Sequence, residues 1–267
     1  MKILLTGSDG FIGKNVYKRI NDNIAPIEIF CIEKDFINSV NWKTDLEEYV
    51  KQNDVVLHIG AISDTMLKDA NKMMKYNYLF SKELFDLAQK HNKKVVYSSS
   101  AANTGESGTP SNIYGWSKFI TEQYGLAKVN NFYALRYFNV YGPGEEHKGK
   151  MASVAHQAWK IGSFTLFPKK PERDFVYIDD VVDATIYPIF NDVKPGVYEV
   201  GSGEARTFED VLDIMEIPFE YKGEYEIPKG YQFFTQSESK LFMEGWQPKY
   251  SLEDGLQKYK DYLNGVV

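Results

Sequence analysis

Short apolar runs alternate with longer mixed stretches through the first half of this chain. Residues 2–6, 27–32, 54–61, 94–102 and 132–143 each carry a run of apolar, often β-branched or aromatic residues. Each is too short for an ordinary helix and stops at glycine, serine, acidic or proline residues, the pattern of buried parallel strands. Between them, residues 71–92 place apolar side chains near helical spacing, and the stretch after Tyr114 reads as a second helix. Strand alternating with helix predicts an α/β fold built on a doubly wound parallel sheet of the Rossmann type. Beyond residue 143 the alternation weakens. Residues 176–190 read as a strand remnant and a helix, 196–201 as a last strand, and the Tyr- and Phe-rich C-terminal part as a small mixed cap over the crevice.

The first strand ends in Thr6-Gly7-Ser8-Asp9-Gly10-Phe11-Ile12-Gly13 and leads into a helix. Glycines at 7, 10 and 13 permit a tight turn and close backbone approach to a diphosphate, and the following helix presents free N–H groups and its positive dipole end. Strand, glycines and helix in that order point to dinucleotide binding. The second strand closes on Glu33-Lys34, twenty residues past Gly13, where an acid commonly bonds the adenosine ribose. Glu33 favours NAD, while Lys34 would neutralise a 2′-phosphate and admit NADP, so both cofactors stay open. Gly60-Ala61 at the end of the third strand would let a nicotinamide cofactor lie close. His58, inside that strand, reads as a core residue, and Asn77 as a side chain bonding backbone beside the site or facing water. The expected division is therefore 1–143, with 174–200 returning to it, as the dinucleotide-binding domain, and 144–173 with 201–267 as the substrate-binding cap.

The fourth strand ends in Ser98-Ser99-Ser100, and in a doubly wound sheet such an end faces the ligand crevice. Ser100 would there bond a substrate hydroxyl. Downstream, Tyr114 and Lys118 stand four apart on one helical face. A tyrosine ordinarily loses its proton near pH 10, and a fixed cation beside it favours the phenolate that a proton shuttle needs. Two basic clusters, His147-Lys148-Gly149-Lys150 and Lys169-Lys170 leading to Arg173, read first as solvated charge, although a guanidinium at Arg173 would match phosphate oxygens in pairs.

Composition narrows the setting. With 267 residues and 43% apolar content the chain can bury a real core, and its net charge of −6 argues against a general nucleic-acid binder. The single cysteine, Cys31, cannot form an internal disulfide and reads as packing inside a buried strand. No signal peptide, membrane-length apolar run or metal-ligand cluster is evident, and a soluble cytoplasmic protein is expected.

Taken together, the Thr6–Gly13 motif, the serine strand end, Tyr114-x-x-x-Lys118 and Arg136-Tyr137-Phe138-Asn139-Val140-Tyr141-Gly142-Pro143 resemble the extended short-chain dehydrogenase/reductases that act on nucleotide sugars. His147-Lys148-Gly149, Met151-Ala152-Ser153-Val154-Ala155, Arg173-Asp174-Phe175-Val176-Tyr177 and Tyr231-Gln232, with Phe234-Thr235-Gln236, are similar to the members that epimerise an ADP-linked heptose at C6. The resemblance implies transient oxidation to a ketone and re-reduction on either face, with Tyr114 and Lys148 as two acid–base groups, Lys118 holding the nicotinamide ribose and lowering the Tyr114 pKa, and Ser100 orienting the oxygen. It places Gly7, Gly10, Phe11, Ile12, Gly13, Glu33, Lys34, Ala61, Asn77 and Val140 at cofactor positions, and Asn139, Arg173 and Tyr231 at substrate positions. It also leans to NADP over NAD and implies a homo-oligomer. Departures fall in the sugar-nucleotide pocket: a short segment between Ser100 and Tyr114, Thr104 for a tyrosine, Lys150 for a serine, Gln157 for a histidine, a shortened run from Phe167 to Arg173, and Gly230 for an arginine. Ala101 and Ala102 lack the acid pair that a dehydratase of this fold needs. A 4-epimerase or ketoreductase stays open, and a non-catalytic dinucleotide sensor would generally lack the Tyr–Lys pair.

Overall fold

The computed structural model describes residues 1–23, 26–105, 108–223 and 231–266. Gly230, and Glu106 and Ser107 of the turn-rich segment after Gly105, lie outside the described residues. Strand β1 (Lys2–Thr6) has Ile3, Leu4 and Leu5 fully buried, which is possible only where helices cover both faces of the sheet. Helix α1 (Phe11–Asn23), strand β2 (Glu28–Ile32), helix α2 (Trp42–Gln52) and strand β3 (Val55–His58) follow. The stretch at 71–92 begins as α3 (Ala70–Met74), widens into a π-helical turn at Lys75–Leu79 and continues as α4 (Phe80–Lys90). Strand β4 (Lys94–Ser100), helix α5 (Ile113–Lys128) and strand β5 (Phe132–Tyr137) complete the alternation.

The main sheet is six-stranded in the order β2-β1-β3-β4-β5, with β9 (Gly196–Val200) on the far edge, and its strands pair in parallel. The chain steps one way from β1 to β2 and the other way to β3. The carboxyl ends of β1 and β3 therefore flank the point where the order reverses, which opens a crevice there.

Two expectations are corrected. The run at 132–143 is two strands. Phe138 N–H still bonds Val200 O, but the chain then swings away as β6 (Asn139–Tyr141) into a second sheet. After α6 (Val154–Ile161) and β7 (Phe164–Leu166), β6 pairs in parallel with β8 (Glu172–Tyr177), which pairs antiparallel with β10 (Ala205–Thr207). Uniform apolar content hides that break. Cys31 is exposed, because β2 is the sheet edge and most of its positions face outward. Helix α7 (Ile178–Phe190) packs on α1, and α8 (Phe208–Ile214), β11 (Phe219–Tyr221) and α9 (Leu252–Leu263) close the chain. Strand β11 pairs with β7. Among the described residues no helix is long and apolar enough to cross a membrane.

Helix α5 is set on the sheet by three devices. Asn112 caps it, its Oδ1 accepting Gly115 N–H at 2.8 Å. Gly115 and Gly125 permit close approach, since a Cβ on Gly115 would lie 2.6 Å from Ala102 O and one on Gly125 2.1 Å from the Phe132 ring. Glu122, fully buried, accepts from Ser99 Oγ at 2.6 Å, Asn103 Nδ2 at 3.0 Å, and Arg136 Nε and Nη2 at 3.0 and 2.6 Å. Glu122→Ala strands all these donors. We expect a loss of about 3 kcal/mol in urea unfolding, the low end for a broken buried pair because the Arg136 side chain keeps some solvent contact. A loss below about 1 kcal/mol would mean the network contributes little to the fold.

Candidate active site

The carboxyl ends of β1 to β5 open onto a cavity of about 520 Å³. Its floor is the glycine turn. Gly7 has φ +75, and a Cβ there would meet Gly60 Cα at 2.4 Å, while one on Gly13 would meet Gly7 O at 2.0 Å. Loop and helix start thus meet at backbone contact, the close approach a diphosphate requires. Gly10, Phe11, Ile12, Glu33, Lys34, Ala61 and Val140 also line the cavity, as do Ser100, Tyr114, Lys118 and Lys148. Sequence-level candidates from seven separate segments are brought into one space. A long cleft with a glycine floor, first-turn N–H groups and an acidic side chain at the β2 end fits a dinucleotide.

At the β2 end, the Glu33 carboxylate accepts from Ser8 Oγ and, at 3.2 Å, from Asp9 N–H, so it is tied to the glycine loop. Lys34 stands exposed at the rim. Deeper in, the Ser100 hydroxyl stands beside the Tyr114 phenol. Lys118, only 2% exposed, donates to Ser98 O at 2.6 Å and sits 4.8 Å above the Tyr97 ring. The expected cation-assisted phenolate is not what this geometry makes. Burial pushes the Tyr114 pKa up, with only the Ser100 hydroxyl opposing it. Burial also pushes Lys118 down to about 7, so the ammonium is itself poorly stabilised. Lys148 reaches in from the turn at Glu146–Met151, its amine 5.1 Å from the Phe11 ring, and burial lowers its pKa.

Four candidates lie elsewhere. Asn77 is 2% exposed within the π turn, behind the cavity, and braces Ile62 by accepting its N–H at 2.8 Å and donating to its O at 2.9 Å. Asn139 is exposed at the start of β6. Arg173 and Tyr231 are brought together, the guanidinium 5.3 Å from the tyrosine ring and donating to Gln232 O, outside the residues lining the cavity. His58 is wholly buried, between Thr6 Oγ1 at 2.7 Å and Ser81 Oγ at 2.6 Å, and burial drives its pKa down to about 3, which fits a core residue. Sequence reasoning missed Asp9, Ile59, Tyr76, Phe80 and Phe138 in the lining. Ile59 carried a signal, being next to Gly60 at a strand end. Tyr76 and Phe80 sit in and just after a π turn that no helical period announces.

Because Lys118 titrates near 7 when folded and near 10.5 when unfolded, the unfolded chain binds more protons between those values. Its contribution to stability is therefore lowest below pH 7 and rises with pH through that window. Thermal unfolding of the cofactor-free chain should rise more steeply from about pH 7 to 9.5 than that of Lys118→Met. Equal slopes would mean the amine is not desolvated.

Comparison with known proteins agrees with this geometry. The profile of the NAD dependent epimerase/dehydratase family matches residues 3–201. An ADP-L-glycero-D-manno-heptose-6-epimerase of Cupriavidus pinatubonensis is 32% identical, over 98% of this chain and 98% of its own. The crystal structure of the Helicobacter pylori ADP-L-glycero-D-manno-heptose-6-epimerase superposes with a TM-score of 0.85 at 28% identity, covering 99% of this chain and 96% of that one. A Thermotoga maritima UDP-glucose 4-epimerase shares the fold, with a TM-score of 0.83 at 24% identity and 100% and 99% coverage. With the family motifs gathered around one dinucleotide-sized cleft, the chain belongs to the NAD dependent epimerase/dehydratase family.

Proposed function

We propose that this chain inverts C6 of an ADP-linked glycero-manno-heptose through a transient ketone. The observation that carries the reading is the presence in one cavity of a phenol beside a serine hydroxyl and a half-buried amine from a different element, Tyr114 on α5 and Lys148 on the turn after β6. A nicotinamide cofactor held over the glycine turn would supply the acceptor and donor of the hydride. Tyr114, its pKa raised by burial and drawn back by the Ser100 hydroxyl, takes the hydroxyl proton at C6. Ser100, beside that phenol, orients the substrate oxygen. After the ketone turns over, Lys148 returns the proton in the opposite orientation, burial making its ammonium the readier donor. Lys118 holds the ribose. Residues 1–143, with 174–200, hold the cofactor, while 144–173 and 201–267 take the sugar nucleotide, Asn139, Arg173 and Tyr231 meeting it. The altered positions Lys150 and Gln157 stand on that side, Gln157 Nε2 donating to Ala152 O at 2.7 Å.

For the cofactor, Glu33 is held against the glycine loop while Lys34 stays exposed at the cavity rim, which supports acceptance of a 2′-phosphate, and so of NADP beside NAD. Lys34→Ala should weaken NADP about tenfold and change NAD by less than about twofold in calorimetric titrations. Equal effects on both would sink the assignment of Lys34.

ADP-D-glycero-D-manno-heptose, followed by NMR at C6 without added cofactor, should approach a near-equal mixture of epimers. Tyr114→Phe should lower kcat by about 10²- to 10⁴-fold, and Lys148→Met should slow it comparably, with cofactor binding unchanged in both. A fully active Lys148→Met would mean that a single acid–base group suffices. No conversion with cofactor bound would remove the heptose.

A further inference from the structure

The turn that carries Lys148 hangs on one buried carboxylate. Glu145 is 0% exposed and lies just before the turn. Its Oε1 accepts Gly142 N–H at 3.3 Å, at the exit of β6, and Ser153 Oγ at 2.6 Å; its Oε2 accepts Ser153 N–H at 2.6 Å, at the cap of α6. The Tyr259 phenol of α9, 3.2 Å from His156 Nδ1, lies near the same carboxylate. The backbone oxygen of Glu145 accepts Lys148 N–H at 2.9 Å. The neighbouring stretch is tied to the cofactor side as well, since Asn15 Nδ2 donates to both Pro143 O and Phe11 O at 2.9 and 3.0 Å, and the Phe11 ring lies beside the Lys148 amine.

A carboxylate out of water is costly unless its lone pairs are filled, and one filled by donors at the exit of β6 and the start of α6 fixes those two elements relative to one another. We propose that Glu145 is the positioning residue for Lys148, locking the 146–151 turn to β6 and α6 so that the amine stands at the cavity wall. The inference rests on Lys148 being the second acid–base group. Glu145 also opposes, by its charge, the burial that disfavours the Lys148 ammonium. Nothing in the length or spacing of the segment requires an acid at 145 for folding alone, since Ser153 caps α6 through its own hydroxyl, which accepts His156 N–H at 3.2 Å.

The test uses Glu145→Gln in the holoenzyme, measured in the parent and in Lys148→Met, with epimerisation of the ADP-heptose followed under single-turnover conditions. Glu145→Gln should lower kcat about tenfold in the parent and leave KM within about twofold. In Lys148→Met the same substitution should change the residual rate by less than about twofold, because there is no amine left to place. An unchanged kcat in the parent, or an equal loss in both backgrounds, overturns the assignment. Should Glu145→Gln fail to fold, Ser153→Ala keeps the carboxylate and removes one donor; it should lower kcat about threefold in the parent alone, and no loss there overturns the assignment too. Lys148→Met as fast as the parent removes the two-base premise and the assignment with it, whereas a slow Lys148→Met with additive Glu145→Gln removes the assignment alone.

Discussion

The position of α5 against the end of β4 is what the rest of the site depends on. Three consecutive serines meet three helix residues spaced one turn apart. Ser98 offers its carbonyl and its hydroxyl to Lys118, Ser99 its hydroxyl to Glu122, and the Ser100 hydroxyl stands beside Tyr114. A shift of α5 by one residue would break all three contacts together, which makes the arrangement discrete.

Much of this was legible because it is local. A glycine spacing after a strand and a Tyr–Lys pair at helical spacing need only a few residues of context, and Gly7, Gly13, Tyr114 and Lys118 all line the cavity. What failed was tertiary. Cys31 looks like any residue of a buried strand until β2 is known to be an edge. Asn77, by contrast, does bond backbone beside the site, one of the two readings open to it, its amide holding Ile62 at the cavity lining. A lysine at helical spacing from a tyrosine reads as a fixed charge, although desolvation of a side chain with a carbonyl partner disfavours it. The role of Glu145 is invisible in the sequence, since Gly142 and Ser153 meet it only in the folded chain.

The site is also built on ionisable groups removed from water. Lys118, Glu122, Glu145 and Asp174 are all buried, and each is provided for differently. Glu122 has a guanidinium; Glu145 and Asp174 are filled by N–H and hydroxyl groups, Asp174 accepting from Ser202, Gly203 and Ser237. Asp174 follows Arg173 in β8, so it pins the segment near Tyr231 to the loop after β9. Such groups contribute little net stability against an apolar replacement, but they define one arrangement in preference to its neighbours.

A single apolar cluster runs from Ile3 and Leu5 in β1 through Val96 and Leu135 to Tyr141, Tyr177, Leu256 and Tyr259. The half carrying the glycine turn and the half carrying α9 therefore do not own separate interiors. Thermodynamically they are linked: free energy from a ligand seated on β1 is spread to α9, because neither can open without exposing the other's side chains. The same continuity makes a parting of the two halves an expensive route for substrate. Traffic into the cleft falls to the side chains and turns at its rim.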